Sequence, residues 1–449
     1  MILNRITKYN APLSRKEFST WRGLKKDLQF GADKKTTANL LSQDGVTFTR
    51  ATPAYNDTYG SVVAIASGEP VYDYSASLGM RIEKGTTNTV RNTDCDESSS
   101  SGWIASAASF PGSNTTGPDG VAGSGKQFQG GTSSSSSNYH LFYEAGIVDG
   151  SGALKNGWSA SVYVKAGNAN FFGMAFCNNA RIGATFCVED YSAAVFGSDN
   201  CTASITSVGN GWYLCKCENL TNVVQYGVFA ITVGSTGALT WGGGSGELGA
   251  WRQRSDYPDS TANYCYIFGP QIENSTFCTS YMANLSDVEA GIARAADVCT
   301  ITGSNFSSFY NASEGTFAVE GRRLHAGSSA LPTLMEVNDG GTSDTIGFNT
   351  SATKEQFDIY GPSGAATIET VNDIAKHVTI KIAGGYKATK YAASGSGATT
   401  AVNTLAAVPT VNQLAVGKSA HGRELNGYVK RIRYYNRRLT DKQIKTLST

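Results

Sequence analysis

Charge is scarce in this chain of 449 residues. Only 16% of them are Asp, Glu, Lys or Arg, and 37 basic side chains against 36 acidic ones leave a formal net charge of +1. No global field therefore draws the chain to nucleic acid or to a membrane surface. No apolar run reaches the roughly 18 residues of a membrane-spanning helix, so membrane insertion is not expected. The opening Met1-Ile2-Leu3-Asn4-Arg5 lacks the apolar core and cleavage site of a secretory leader. A protein made and kept in the cytosol until release from the cell is the expectation. Histidine is rare too: His140, His325, His377 and His421 are scattered without metal-ligand spacing. No Gly-x-Ser-x-Gly, P-loop or dinucleotide fingerprint occurs, and Gly123-Ser124-Gly125-Lys126 lacks the spaced first glycine of a P-loop. No metal and no cofactor are expected, and no heptad pattern is present.

What is abundant is small. Glycine contributes 51 residues, and serine and threonine fill the stretches between short apolar runs. This describes a β-rich, loop-rich chain, long enough for two or three domains. The nine cysteines (Cys95, Cys177, Cys187, Cys201, Cys215, Cys217, Cys265, Cys278 and Cys299) sit mostly inside strand-like runs. Buried thiols behave as small hydrophobes, and a cytosolic product keeps them reduced. The competing use is a metal site. Cys215-Lys216-Cys217 has one intervening residue where common zinc loops have two to four, and a strand turns both thiols to one side. Reduced core cysteines are the expectation.

Residues 1–36 differ from the rest. Nine basic residues against Glu17, Asp27 and Asp33 give +6 there, so the remainder of the chain is about −5. Ser14-Arg15-Lys16-Glu17 has capping-box spacing, with Leu13 and Phe18 as its staple. Phe18, Trp21, Leu24 and Leu28 follow at helical spacing. The pattern predicts an amphipathic helix over 15–29 with a basic face. Two uses stay open. The helix packs on its own domain, or it docks the chain on a larger assembly through Arg15, Phe18, Trp21, Arg22, Leu24, Lys25 and Leu28. Nucleic-acid binding is not expected, because stacking aromatics do not interleave the basic residues.

Residues 37–94 alternate strand patterns with turns at 46–49, 61–66 (a buried strand by composition), 70–74 and 80–83. They read as an extended lead-in without a core of its own. Residues 95–283 read as a first β domain. Its clearest strand is 158–165, with Trp158, Ala160, Val162 and Val164 on one face. Further strands are expected at 171–176, 184–188, 192–196, 211–217 and 223–233, the rhythm of a sandwich. Tyr264, Cys265 and Ile267 belong to the last strand, which Gly269-Pro270 is expected to stop. Ser286-Asp287-Val288-Glu289 predicts a short helix within a 284–300 linker. A second β domain, 301–449, has strands at 315–320, 334–337, 345–349, 356–360, 366–370, 377–382 and 426–435. The basic cluster at 430–438 reads as a surface for an acidic partner or as charge guarding an exposed strand edge. Thr440-Asp441-Lys442-Gln443, with Leu439 and Ile444 as staple, predicts a helix over 441–447.

The stretch 239–259, LTWGGGSGELGAWRQRSDYPD, breaks the strand rhythm. Three consecutive glycines open the loop. Trp241, Trp251 and Tyr257 flank Arg252, Arg254 and Asp256. A sugar stacks its C–H face on an aromatic ring while charged groups bond its hydroxyls, so these six residues are the candidate carbohydrate site. Aromatic-rich loops also pin themselves to a core or to a neighbouring subunit, and both readings stay open.

Three motifs, in order, carry a resemblance. The first is Phe48-Thr49-Arg50-Ala51-Thr52-Pro53-Ala54-Tyr55 with Arg81-Ile82-Glu83 and Thr87-Asn88. The second is Gly269-Pro270-Gln271-Ile272-Glu273, then Thr279-Ser280-Tyr281, then Arg294-Ala295-Ala296-Asp297. The third is Leu425-Asn426-Gly427-Tyr428-Val429-Lys430-Arg431-Ile432-Arg433-Tyr434-Tyr435, followed by Arg437-Arg438-Leu439-Thr440-Asp441. Together they resemble the pattern of bacteriophage minor structural proteins, tail, fibre or appendage proteins built from jelly-roll and concanavalin-A-like lectin modules. The resemblance runs from residue 46 to the last. The 284–293 stretch is more helical than that family's short polar run, and the first forty residues match none of it.

The resemblance implies an all-β fold of two tandem antiparallel sandwiches behind a short N-terminal helical arm. A jelly roll would occupy 95–283, and a concanavalin- or laminin-G-like module 301–449. It implies a non-enzymatic virion protein docked by its arm (1–36) to tail, collar or capsid, with other virion proteins and copies of itself as partners. One alternative is an adhesin that binds host-surface glycan. The other is a polysaccharide depolymerase, which needs two carboxylates facing across a cleft; Glu189-Asp190, or Asp256 and Asp259, could supply them.

Overall fold

The structure is a computed structural model. Residues 1–22, 31–40, 131–140, 145–156, 221–227 and 235–262 lie outside the described residues, with shorter stretches such as 57–61, 74–77, 96–102, 286–290, 325–330 and 374–377. The fold is all-β, and its described helices are Gly303–Ser307 and Asp441–Leu447. The chain forms two compact units, each drawn from more than one stretch. One takes Met1–Thr49, Tyr72–Glu83 and Asp297–Thr449; the other takes Arg50–Val71 and Lys84–Ala296. The stretch read as a lead-in is shared out between them.

The unit that ends the chain is a two-sheet sandwich. One sheet runs Ala401–Asn403, Tyr391–Gly395, Thr379–Lys387, Glu314–Arg323, Gly427–Tyr435 and Gly79–Ile82, each pair antiparallel. The other runs Thr47–Thr49, Val298–Thr302, Gln413–Val416, Thr333–Asn338, Thr345–Thr350, Lys354–Gly361 and Gly364–Asp373. Alternation turns Phe317, Val319, Ile380 and Ile382 of the first sheet toward Val337, Ile346, Phe348, Phe357 and Ile359 of the second, and these form the core. On the first sheet's outer face, Ala318, Ala383 and Ala392 are small enough for the terminal helix to lay Ile444 and Leu447 against them. That helix starts with the expected box: Gln443 N donates to Thr440 Oγ1 at 3.3 Å, and Thr440 N donates to Gln443 Oε1 at 3.1 Å.

Two expectations in this unit are corrected. Leu24–Gln29 is a strand, not the end of a helix, and pairs antiparallel with Gly427–Tyr435. A bulge between Leu24 and Lys26 leaves Leu24 against the outer-face cluster and sends Leu28 and Phe30 into the core. A spacing of four fits both the helical and the strand period; Phe30, two residues past Leu28, fits only the strand. Asp27 secures the pairing by accepting two 2.8 Å bonds from Arg431. Of the candidate anchoring residues, Arg15, Phe18, Trp21 and Arg22 lie outside the described residues. Leu28 is buried, Leu24 half-buried and Lys25 exposed.

The second correction concerns the basic cluster. Gly427–Tyr435 is an interior strand, so its cations guard no edge. Lys430 pairs with Glu320 at 2.9 Å, Arg431 with Asp27 at 2.8 Å and Arg438 with Asp441 at 2.5 Å.

The other unit stacks one sheet of Thr202–Gly209, Trp212–Leu220, Trp158–Ala166, Tyr264–Glu273, Lys126–Gly130 and Ala108–Ser109 on another. The second holds Ser192–Gly197, Ile182–Cys187, Phe171–Cys177, Val228–Gly234, Leu141–Glu144 and Trp103–Ser106. Trp158, Ala160, Val162 and Val164 face the core together, with Phe128, Phe172, Met174 and Phe186. Cys215 and Cys217 turn inward side by side as thiols.

Here too the structure departs from the sequence reading. Tyr264–Glu273 continues through Gly269-Pro270. Its pairing jumps from Ser161–Gln271 to Tyr163–Phe268, so the Gly-Pro pair forms a bulge, where proline owes no ladder bond. Gly269 supports the bend with a φ of 59°. Val63–Ile65, expected to be buried, is a largely exposed strand paired with Ala54–Asn56. The helix expected at 286–289 lies outside the described residues.

Candidate functional site

The loop candidates Trp241, Trp251, Arg252, Arg254, Asp256 and Tyr257 lie outside the described residues, as do Asp259, Glu189 and Asp190. The motif residues that carry the resemblance are described, and they build a latch. Glu273, fully buried, accepts from Gln271 Nε2 at 2.6 Å, from Thr279 N at 2.8 Å and from Thr279 Oγ1 at 2.5 Å. Arg294 Nη1 donates to Ser280 Oγ at 2.7 Å. Gln271 Oε1 accepts from Met282 N at 2.7 Å, and Asn88 Nδ2 donates to Met282 O at 3.0 Å. Tyr281 shares a 2.6 Å hydroxyl bond with Thr93 and lays its ring near Phe268 and Tyr55, at 5.2 and 4.9 Å. Burial pushes the Glu273 carboxyl up, and the Arg294 charge and the Thr279 and Gln271 bonds counter it. These residues tie separate stretches of one unit together, so the motif is scaffold. Asp297, the motif's last residue, belongs to the other unit, where its Oδ2 accepts from Glu83 N at 2.9 Å.

The terminal unit presents a different arrangement. The positions of three neighbouring strands that turn away from the core carry amides and carboxylates, and Glu336, Asn338, Asn349, Gln356 and Asp358 are all buried. Glu336, Gly347 and Asp358 form one cross-strand row, Thr333, Asn349 and Gln356 the next, and Asn338, Thr345 and Tyr360 a third. Asn349 Nδ2 donates to Asp358 Oδ2 at 2.8 Å, and Asn338 Nδ2 donates to Glu336 Oε1 at 2.8 Å. Gln413, one strand over, donates to Asn338 Oδ1 at 2.6 Å, and Gln356 donates to Glu369 Oε1 at 2.7 Å. Between the two carboxylates stands Gly347. A Cβ there would lie 3.0 Å from Asn349 Nδ2 and 3.4 Å from Glu336 Oε2, so the missing side chain leaves room for the Asn349 amide to reach Asp358.

Residues 417–425 fold over this face as a hairpin. Its base is fixed by Gly417 N donating to Leu334 O and Leu425 N donating to Gly417 O, both at 2.9 Å. Its tip makes three contacts with the sheet. Ala420 N donates to Glu336 Oε1 at 2.7 Å, Arg423 Nη1 donates to Asp358 Oδ2 at 3.1 Å, and the His421 ring lies 4.9 Å from the Tyr360 ring. Burial holds the Glu336 carboxyl above its ordinary value, countered by Ala420, Asn338, His421 and Arg423. Sequence reading placed these strands but passed over their outward residues. The available signal was Gln356, Asp358 and Tyr360 alternating with Phe357 and Ile359.

A concavity of about 210 Å³ lies in the other unit beside Pro53, Tyr55, Met282 and Ile292. Its lining is mainly apolar, and Arg294, its charged member, is engaged by Ser280.

No protein-family model and no curated relative matches the chain. Similar solved structures include the Ruminococcus gnavus IT-sialidase CBM40 bound to α2,3-sialyllactose, at 12% identity and a TM-score of 0.29, covering 32% of this chain and 88% of that one. Another is domain 4 of the Geobacillus stearothermophilus arabinanase AbnA with arabinotriose, at 10% identity and a TM-score of 0.28, covering 34% and 73%. A third is from a structure of botulinum neurotoxin type C, whose cell entry depends on two ganglioside molecules, at 13% identity and a TM-score of 0.26, covering 34% and 39%.

Proposed function

We propose that the chain is a glycan-binding adhesin of a bacteriophage virion, without enzymatic activity of its own. Its glycan meets the outward face of Thr333–Asn338, Thr345–Thr350 and Lys354–Gly361. The observation that carries this reading is the concentration of Glu336, Asn338, Asn349, Gln356 and Asp358 on one sheet face beside Tyr360. Carboxylates and amides answer sugar hydroxyls, and an aromatic ring at the margin takes the C–H face of a pyranose. The virion assignment draws on the three motifs that resemble those of phage appendage proteins. Copies of the chain on one particle would convert weak single sites into avidity. The two carboxylates are tied as acceptors, Asp358 to Arg423 and Asn349 and Glu336 to Asn338 and Ala420, an arrangement suited to holding a ligand rather than moving a proton.

The test is a bacterial-surface glycan array probed with the full chain and with Tyr360→Ala. Specific retention of a glycan class, weakened about tenfold by loss of roughly 1.4 kcal/mol of stacking, supports the reading. Retention that Tyr360→Ala and Asp358→Asn both leave unchanged contradicts it.

A further inference from the structure

The polar face is not bare: the chain fills it with its own hairpin tip. Ala420 brings an N–H to Glu336, Arg423 brings a guanidinium to Asp358, and His421 brings a flat ring to Tyr360. Two donors and a ring are what a pyranose would offer the same groups. The opposite face of the sandwich is covered in another way, by Ile444 and Leu447 on alanines. An apolar cover is held by the hydrophobic effect and stays. A polar cover exchanges its bonds for equivalent ones at little net cost.

The unsatisfied atoms say what kind of ligand would improve on the tip. Asp358 is 2% exposed and Gln356 7% exposed, and their Oδ1 and Oε1 have no hydrogen-bond partner among the described residues. These two are acceptors, and a buried acceptor without a donor is costly; Thr345 Oγ1 on the same face and His421 Nε2 on the tip are likewise without a partner among the described residues, and the hydroxyl can donate or accept. The charged groups on the outward positions are Glu336, Asp358 and Glu369, faced by Arg423 from the hairpin, with Lys354 at the strand's start. Arg423 sits on the tip and leaves the face with it when the tip is displaced. A ligand rich in hydroxyl or ammonium donors finds open acceptors here. A carboxylated sugar brings a like charge to Glu336, Asp358 and Glu369.

We propose that the face under the 417–425 hairpin takes neutral or amino sugars in preference to acidic ones, and that the sugar enters by displacing the hairpin tip. The tip is thus an internal occupant that the ligand must outcompete. This rests on the glycan-binding reading above and adds to it the sugar class and the mode of entry.

The test uses the full chain with matched oligomers of glucose, glucosamine and glucuronate. Binding is measured for the wild type and for His421→Ala, which removes the tip's ring from beside Tyr360. If the tip is lifted about a tenth of the time, freeing it strengthens apparent affinity up to about tenfold. The expected result is tighter binding of glucose or glucosamine oligomers by His421→Ala, with glucuronate at least about tenfold weaker, a difference that the buried acceptors would impose. A second readout needs no variant: bound sugar should speed hydrogen exchange at the Ala420 amide, where an ordinary site would slow it. Sugar binding that His421→Ala weakens or leaves unchanged, slower exchange at Ala420, or preference for glucuronate overturns this proposal and leaves the glycan reading standing. Binding of none of the oligomers by either protein, together with a blank glycan array, overturns both.

Discussion

Glu273 shows why a polar motif can be scaffold. It is fully buried, and its carboxylate answers Gln271 and both donors of Thr279. Removing it strands those donors and the Arg294 charge. Glu273→Ala should cost about 3–5 kcal/mol, and Glu273→Gln, which keeps one acceptor, should cost less. Denaturant titration reads the difference, and equal losses would contradict the latch. The buried acids also set a pH dependence. Glu273, Glu336 and Glu355 are each held above 4.5, first of all by burial. The folded chain then keeps protons that the unfolded chain has released. Their stabilisation is full below 4.5 and is lost as pH rises through each folded value. Asp27 runs the other way. Burial raises it, but the bonds and charge of Arg431 outweigh burial and leave it below 3.8, so its contribution is present above 3.8 and lost as pH falls through the folded value. Melting curves should show Glu273→Gln flattening the slope above pH 4.5 and Asp27→Asn flattening the acid side. Unchanged slopes would refute the assignment.

Elements were legible where local pattern and tertiary context agree. The strand at Trp158 followed from strict alternation, and the terminal helix from its capping box. Thr440→Ala should cost about 1 kcal/mol, read as a lower melting temperature, because Gln443 N loses its acceptor; no loss would show the box to be idle. Elements were misread where a bulge intervened. Leu24 and Leu28 would share a face in a regular strand, and the bulge before Lys26 parts them, Leu24 to the outer cluster and Leu28 to the core. The Gly269-Pro270 pair looked like a stop and is a bulge that lets the strand go on. The outward residues of 333–361 went unread because Glu, Asn, Gln and Asp on a strand look like ordinary solvated positions. Only register shows that Glu336 and Asp358 flank the same glycine. Gly347→Val should crowd the Asn349 amide and the Glu336 carboxylate out of place, leave the far-ultraviolet circular dichroism unchanged and cut glycan binding at least about tenfold. Unaltered binding would place the ligand elsewhere.

At the scale of the whole molecule, composition and turn rhythm indicated an all-β chain of sandwiches, and the structure has that architecture. Sequence order did not reveal how the stretches are shared. Residues 50–71 and 72–83 join different units because partners far along the chain decide their pairing, as when Gly79–Ile82 adds to Gly427–Tyr435. The proposed role makes a direct demand on location. Hydrogen exchange of the full chain, mapped by mass spectrometry with and without the best array glycan, should change at 333–361 and 413–425 and leave the latch of 271–294 unaltered. Changes confined to other segments, with 333–361 and 413–425 unaffected by bound glycan, would contradict the account.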